Sequence, residues 1–258
     1  MTTLTLARPR APRAAFASMV VNEARLAWRQ PAGIIAGTGI SLLLLVVFGE
    51  VPVFRQSSAS LGGYSPFDVY IPILMSFSIA LIAFTYLPGP LVSYRELGIL
   101  RRLSTTPVPA YWVLAAQIAV QACLMAVTLA LLITVSIVFF GTTAPKNPAA
   151  MVLAIALCMA ALFAIGLAIA ALARTAGAAR GLMAAVLYPM MFFSGLYYPV
   201  QLLPAVIQDI SRYTPLGAAV PAIGDSWVGQ FPPAQPLLVL AGYALVFGFL
   251  AKRFFRWE

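Results

Sequence analysis

Residues 110–140 read AYWVLAAQIAVQACLMAVTLALLITVSIVFF, without a single Asp, Glu, Lys, Arg or His. An uncharged apolar run of about 18 residues or more is a membrane-span candidate, because roughly 20 residues of helix cross the hydrocarbon core. This run has length to spare and predicts a long or tilted span. Working outward, similar runs lie at about 32–53, 69–92, 150–173, 181–198 and 236–251. The expected fold is therefore all-α and integral to the membrane, with six transmembrane helices. Composition agrees: 62% of the 258 residues are hydrophobic and only 9% charged, where a soluble domain carries about 25% charged residues.

The intervening segments differ in character. Residues 1–13, rich in Arg, Pro and Thr, predict a disordered tail, and 14–258 a single domain. In 14–30, Phe16, Val20, Val21, Ala24 and Ala27 or Trp28 recur at helical spacing, with Asn22, Glu23, Arg25 and Arg29 on the other side. This predicts an amphipathic helix lying in the interface, ended by Pro31. The first apolar run starts only near Ala32 and is long enough to span, so it reads as a retained helix and not a cleaved signal. Within the second span, Pro72, Pro88 and Pro90 are expected near the ends, where a lost backbone hydrogen bond costs least. A short turn is expected at 174–180, and 199–235 is a longer proline-rich segment.

Charge placement fixes the orientation. With the N-terminus in the cytoplasm, the inner segments hold Arg8, Arg10, Arg13, Arg25, Arg29, Arg95, Arg101, Arg102, Arg174, Arg180, Lys252, Arg253 and Arg256, and the outer ones only Arg55, Lys146 and Arg212. Thirteen against three is the bias of a multi-pass protein with both termini cytoplasmic. The same dispersal argues against nucleic-acid binding, despite a net charge of +9.

Several chemistries are poorly supported. No predicted span carries an ionisable side chain near its centre, as an ion-coupled transporter needs. Neither Lys146 nor Lys252 follows a glycine, so there is no phosphate loop. With no histidine, seven acids, and Cys123 and Cys158 inside apolar runs as small buried hydrophobes, an intramembrane enzyme lacks its constellations. The span residues Ser76, Ser78, Thr85, Gln117, Gln121, Thr128, Thr134 and Ser136 suit helix–helix hydrogen bonding first and ligand contact second. If the protein moves a solute, its energy comes from a partner that docks on the cytoplasmic side.

Two segments bear on that partner. In SYRELGILRRLSTTP, 93–107, Leu97, Leu100 and Leu103 form an apolar stripe among Arg95, Glu96, Arg101 and Arg102, and Thr106-Pro107 stops it. This predicts a short amphipathic helix on the cytoplasmic face; an ordinary basic loop on lipid headgroups is the plainer alternative. In 187–217, LYPMMFFSGLYYPVQLLPAVIQDISRYTPLG, an apolar span runs into Ser194-Gly195. Val206, Ile207, Ile210 and Tyr213 then form a stripe opposite Gln208, Asp209, Ser211 and Arg212, ended by Thr214-Pro215. This predicts a re-entrant helical hairpin before the last span, with a surface-lying outer helix as the alternative.

Together these segments resemble the ABC type-2 exporter permeases, including the daunorubicin-resistance-like branch. The family's Glu-x-Gly-x-Leu-x-x-Leu-x-x-Thr-Pro-like segment is matched by Glu96, Gly98, Leu100, Leu103, Thr106 and Pro107, with Ile99 where a small or polar residue is commoner. Its Phe-x-Ser-Gly-x-x-x-Pro-x-x-x-x-Pro-like run is matched by Phe192, Ser194, Gly195, Pro199 and Pro204. The resemblance covers about residues 15–258. It implies a subunit of the bacterial plasma membrane that exports an amphipathic drug, lipid or lipid-linked glycan. It implies a second permease subunit and a cytoplasmic ABC ATPase that holds the ATP and magnesium, with no cofactor in this chain. The resemblance makes 94–107 the ATPase-coupling helix, carried by Arg95, Glu96, Gly98, Leu100, Arg101, Arg102 and Leu103. Candidate pathway residues are Ser76, Thr85, Tyr188, Ser194 and Tyr197. A non-transporting membrane scaffold or assembly subunit is the alternative function.

Overall fold

The computed structural model describes residues 12–29, 35–56, 65–98 and 111–254, and every regular element among them is helical. In chain order these are α1 (Pro12–Arg29), a π-helical turn (Ile35–Gly39) running into α2 (Ile40–Glu50), and the single turn α3 (Pro52–Arg55). Then come α4 (Pro66–Tyr86), α5 (Pro88–Glu96), α6 (Tyr111–Phe140), α7 (Pro148–Leu172) and α8 (Ala176–Phe193). A 3₁₀ turn at Val200–Leu202 leads to α9 (Ala205–Arg212), α10 (Pro215–Val228) and α11 (Ala234–Phe254).

Five stretches among the described residues are long and apolar enough to cross a membrane: Pro66–Glu96, Trp112–Phe140, Pro148–Leu172, Ala176–Phe193 and Ala234–Phe254. The chain is thus a multi-pass helical membrane protein. The first predicted span, 32–53, shows a shorter apolar helix at Gly37–Glu50, with 30–34 outside the described residues. Of the predicted disordered tail, 1–11 lie outside the described residues, while Pro12 and Arg13 open α1.

The start signals explain most displaced boundaries. Ser65 and Asp68 form a reciprocal capping box, and Pro66 sits at the first helical position, so the second span begins at 66. That places Pro72 inside α4 and not near its end. Its missing N–H is tolerated because neighbouring helices surround it; Gly224 of α10 lies against its ring. Thr175 caps α8 by accepting from the Ala178 N–H at 3.1 Å. The predicted turn at 174–180 is therefore largely the first turn of the fifth span, which starts at 176 and not 181. Thr214-Pro215 does not end the re-entrant segment. Thr214 is the N-cap of α10 and Pro215 its first residue, so the pair ends α9 and starts a longer helix.

Helix α4 is the hub. Every residue from 70 to 80 is buried, and α2, α6, α7 and α10 pack around it. Helix α7 carries the next layer, against α10 and α11. The helices approach closely where side chains are small: a Cβ at Gly166 of α7 would lie 3.3 Å from the Ala83 carbonyl of α4. The loop before α7 is clipped to the end of α10, the Lys146 and Asn147 N–H groups donating to Trp227 and Ser226 carbonyls at 3.1 and 3.2 Å.

The polar span residues follow a simpler rule than expected. Ser76, Ser78 and Ser136 donate to carbonyls of their own helices at 2.7–2.9 Å. Thr128 does bridge helices, its hydroxyl lying 2.7 Å from that of Thr38. Cys158 is buried as predicted, but Cys123 is exposed on the outer face of α6, because an all-apolar helix gives no sign of which face turns inward.

The close approach at Gly166 gives a direct check. Gly166→Leu should lower the thermal midpoint of the detergent-purified protein, since overpacking costs about 1–3 kcal/mol. Gly242→Ala, where an added Cβ meets nothing within 4 Å, should leave the midpoint unchanged or slightly raised.

Candidate functional site

The second span does not end as one smooth helix. Leu87 interrupts it, and Pro88 and Pro90 set the first turn of α5. Helix α5 stops at Glu96, because Gly98 takes the left-handed φ of +66° and the Leu97 and Gly98 N–H groups close on Ser93 and Arg95 carbonyls. The predicted amphipathic helix over 93–107 is therefore not one helix. Residues 93–96 belong to the end of the span, and Leu97 lies beyond the break. Leu100, Arg101, Arg102 and Leu103 lie outside the described residues.

Arg95 and Glu96 both reach the turn between α7 and α8. The Arg95 guanidinium donates to the Ala173 carbonyl, at the C-terminal end of α7. The Glu96 carboxylate accepts the Ala176 N–H at 3.2 Å, at the N-terminal end of α8. Each charge sits where the helix dipole favours it and where a backbone group lacks an intrahelical partner. Two adjacent residues thus tie the end of the second span to the ends of two others. Of the predicted coupling residues, these two are brought together on a structural partner, and Gly98 is the stop at the end of α5.

Helix α1 lies beside the start of α6, Phe16 meeting Trp112 edge-on at 5.8 Å between ring centroids. Of its predicted polar side, Glu23 is half-buried and turned toward Tyr94, while Val21 and Trp28 of the predicted apolar stripe are exposed, as is Leu26. The Tyr94 hydroxyl donates to Glu23 Oε1 at 3.1 Å, and the Gln117 side chain hydrogen-bonds both. Burial pushes the Glu23 carboxyl above its ordinary range, against the lowering effect of the Tyr94 and Gln117 hydrogen bonds.

These groups border a cavity of about 540 Å³ between α1, the second span, α6 and the start of α8. Thr85, Tyr86, Gln121 and Arg180 line it too. Of the predicted pathway residues only Thr85 reaches this space. Ser76 is fully buried with its hydroxyl satisfied by Pro72, and Ser194 is buried with its hydroxyl donating to the Met191 carbonyl at 2.8 Å. Both face the interior of this chain's bundle. Tyr188 and Tyr197 are more than half exposed, away from the cavity. The cavity groups Glu23, Tyr94 and Tyr86 were not expected in a site. One sequence signal pointed there: Gln117 and Gln121, four apart in an apolar run, share a helix face.

The helical bundle and the clamp at the end of the second span define a membrane-embedded helical protein. The ABC-2 type transporter family matches residues 14–225, and the chain belongs to that family. It is accordingly a transmembrane permease component of an ABC transporter, and membership implies partnership with an ABC ATPase subunit. No curated protein matches the chain.

The clamp makes a local prediction. Glu96→Ala should speed hydrogen exchange of the amides at 176–180 by about fivefold, in line with the loss of a helix cap of roughly 1 kcal/mol. Glu96→Gln, which keeps an acceptor oxygen, should change it less. Mass spectrometry of the purified protein reads both.

Proposed function

We propose that this chain is the membrane subunit of an ATP-driven exporter that moves an amphipathic drug, lipid or lipid-linked glycan outward across the bacterial plasma membrane. It spans six times as a single domain over 14–258, with both termini cytoplasmic, and pairs with a second permease subunit. The ATPase, carrying ATP and magnesium, docks on the basic segment that follows the second span, where Arg101 and Arg102 supply cations and Leu100 and Leu103 apolar contacts. The 199–213 segment dips back into the outer leaflet before the last span. Tyr188 and Tyr197, exposed on this chain, suit the face that meets the second subunit along the pathway.

The observation that carries this reading is the double tether from Arg95 and Glu96 to the turn between α7 and α8. A push delivered just beyond Gly98 reaches three spans at once: the second directly, and the fourth and fifth through the tether. A rigid link of this kind is what conversion of ATPase closure into helix motion requires, because packed helices move as units and not by continuous deformation. Helix α9 is anchored by Ser211, buried with its hydroxyl donating to the Phe193 carbonyl at 2.5 Å; Val206, Ile210 and Tyr213 are exposed, as are Asp209 and Arg212, which pair at 3.3 Å.

The test is reconstitution with the ATPase in lipid vesicles. Arg101→Glu and Glu96→Ala should leave the amount of membrane-inserted protein unchanged and lower transport-linked ATP hydrolysis severalfold. Wild-type hydrolysis and transport in both variants would reject the coupling role, and failure of any ATPase to copurify would reject the exporter itself.

A further inference from the structure

Three consecutive side chains at the end of α5 reach three different elements. Arg95 holds the end of α7, Glu96 holds the start of α8, and the Tyr94 hydroxyl donates to Glu23 Oε1 of α1 at 3.1 Å. Successive helical residues point about 100° apart, so three in a row fan over about 200° of the circumference. The end of the second span is therefore held on one side by the α7–α8 turn and on another by α1.

Helix α1 packs along α6, where Phe16 meets Trp112. Glu23 lies seven residues after Phe16, about two turns along the same face. There the Gln117 side chain of α6 hydrogen-bonds both Glu23 and Tyr94. Packing between α1 and the second span is less continuous. The cavity of about 540 Å³ lies between them, with Leu26 and Ala27 on the α1 wall and Gly89 and Ser93 on the α5 wall. The Tyr94–Glu23 hydrogen bond bridges the edge of that gap. Hydrogen bonds are directional, so this contact fixes α1 against α5 in a way that apolar contact with lipid does not.

We propose that Tyr94 and Glu23 are positioning residues that form a third limb of the linkage, so that α1 moves with the end of the second span. A displacement of α5 then reaches α1 directly and α6 through Gln117, alongside α7 and α8. The coupling role of this limb rests on the permease reading above; the attachment of α1 to α5 does not. The plainer alternative is a static contact that seats α1 on the bundle and carries no motion.

Hydrogen exchange read by mass spectrometry over 17–27 and 176–180 separates these cases. In the first arm the protein is in nanodiscs without ATPase. Tyr94→Phe, which removes only the donating hydroxyl, should speed exchange over 17–27 about fivefold, the equivalent of one net hydrogen bond. Unchanged exchange would overturn the attachment itself. In the second arm the complex with its ATPase is compared nucleotide-free and arrested with ATP, magnesium and orthovanadate. Arrest should change exchange in both regions of the wild type. Tyr94→Phe and Glu23→Ala should each abolish the change over 17–27 and leave that over 176–180, and combining them should do no more than either alone, because both break one contact. Glu23→Gln keeps an acceptor oxygen and should retain the wild-type response, which a change of seating alone would not restore selectively. Gel filtration confirms the fold of each variant; if Tyr94→Phe fails to fold, Glu23→Ala against Glu23→Gln decides both arms. A wild-type response over 176–180 without one over 17–27 would overturn the third limb and leave the coupling reading standing, as would a response over 17–27 that survives Tyr94→Phe and Glu23→Ala. No response in either region would reject the limb together with the coupling reading.

Discussion

The arrangement of this protein depends on one helix being enclosed by protein. Helix α4 is covered on every side along its middle, and from 70 to 80 no residue is exposed. In water such a helix would be covered to escape solvent; in a bilayer that force is absent, and packing contacts and polar pairing must hold the helices together. Small residues make this possible, as where Gly166 meets the Ala83 carbonyl and Gly224 meets Pro72. Because the hub touches α2, α6, α7 and α10, a displacement of its end cannot stay local. Its continuation, α5, ends in the two charges that hold the α7–α8 turn.

Hydrocarbon also imposes strict accounting on polar groups. Unpaired backbone groups cost several kcal/mol there by order of magnitude, and several helix starts are closed by a nearby side chain. Ser65, Asn147, Thr175 and Thr214 cap their own helices, and Glu96 closes the start of α8 from a different element. Serine hydroxyls inside the bundle turn back on their own carbonyls and cease to be available to a ligand. Against that background, the unsatisfied Gln117, Gln121 and Tyr86 oxygens are conspicuous. They lie beside the half-buried Glu23, at the same end of the second span as the clamp.

The amino-acid sequence by itself determined the class, the membrane location, the long spans and the identity of two segments worth attention. These follow from hydrophobic runs and charge counts, which need no knowledge of neighbours. Local start signals were present at Ser65-Pro66, Thr175 and Thr214-Pro215, but the apolar runs placed the second and fifth spans later and Thr214-Pro215 read as an end, because a cap acts as a start only when the residues after it stay helical. Rotation was largely out of reach. In a span that is apolar almost all round, periodicity carries little phase: in 110–140 the pair Gln117 and Gln121, four apart on one face, is the one sign of the inward side, and Cys123 faces out. For α1 the phase was legible but misleading: Glu23 reads as a surface acid until Tyr94, 71 residues away, supplies its partner. Tertiary structure alone decided the tether, the cavity and which predicted pathway residues were already satisfied, because each depends on a contact between segments that lie far apart in the chain.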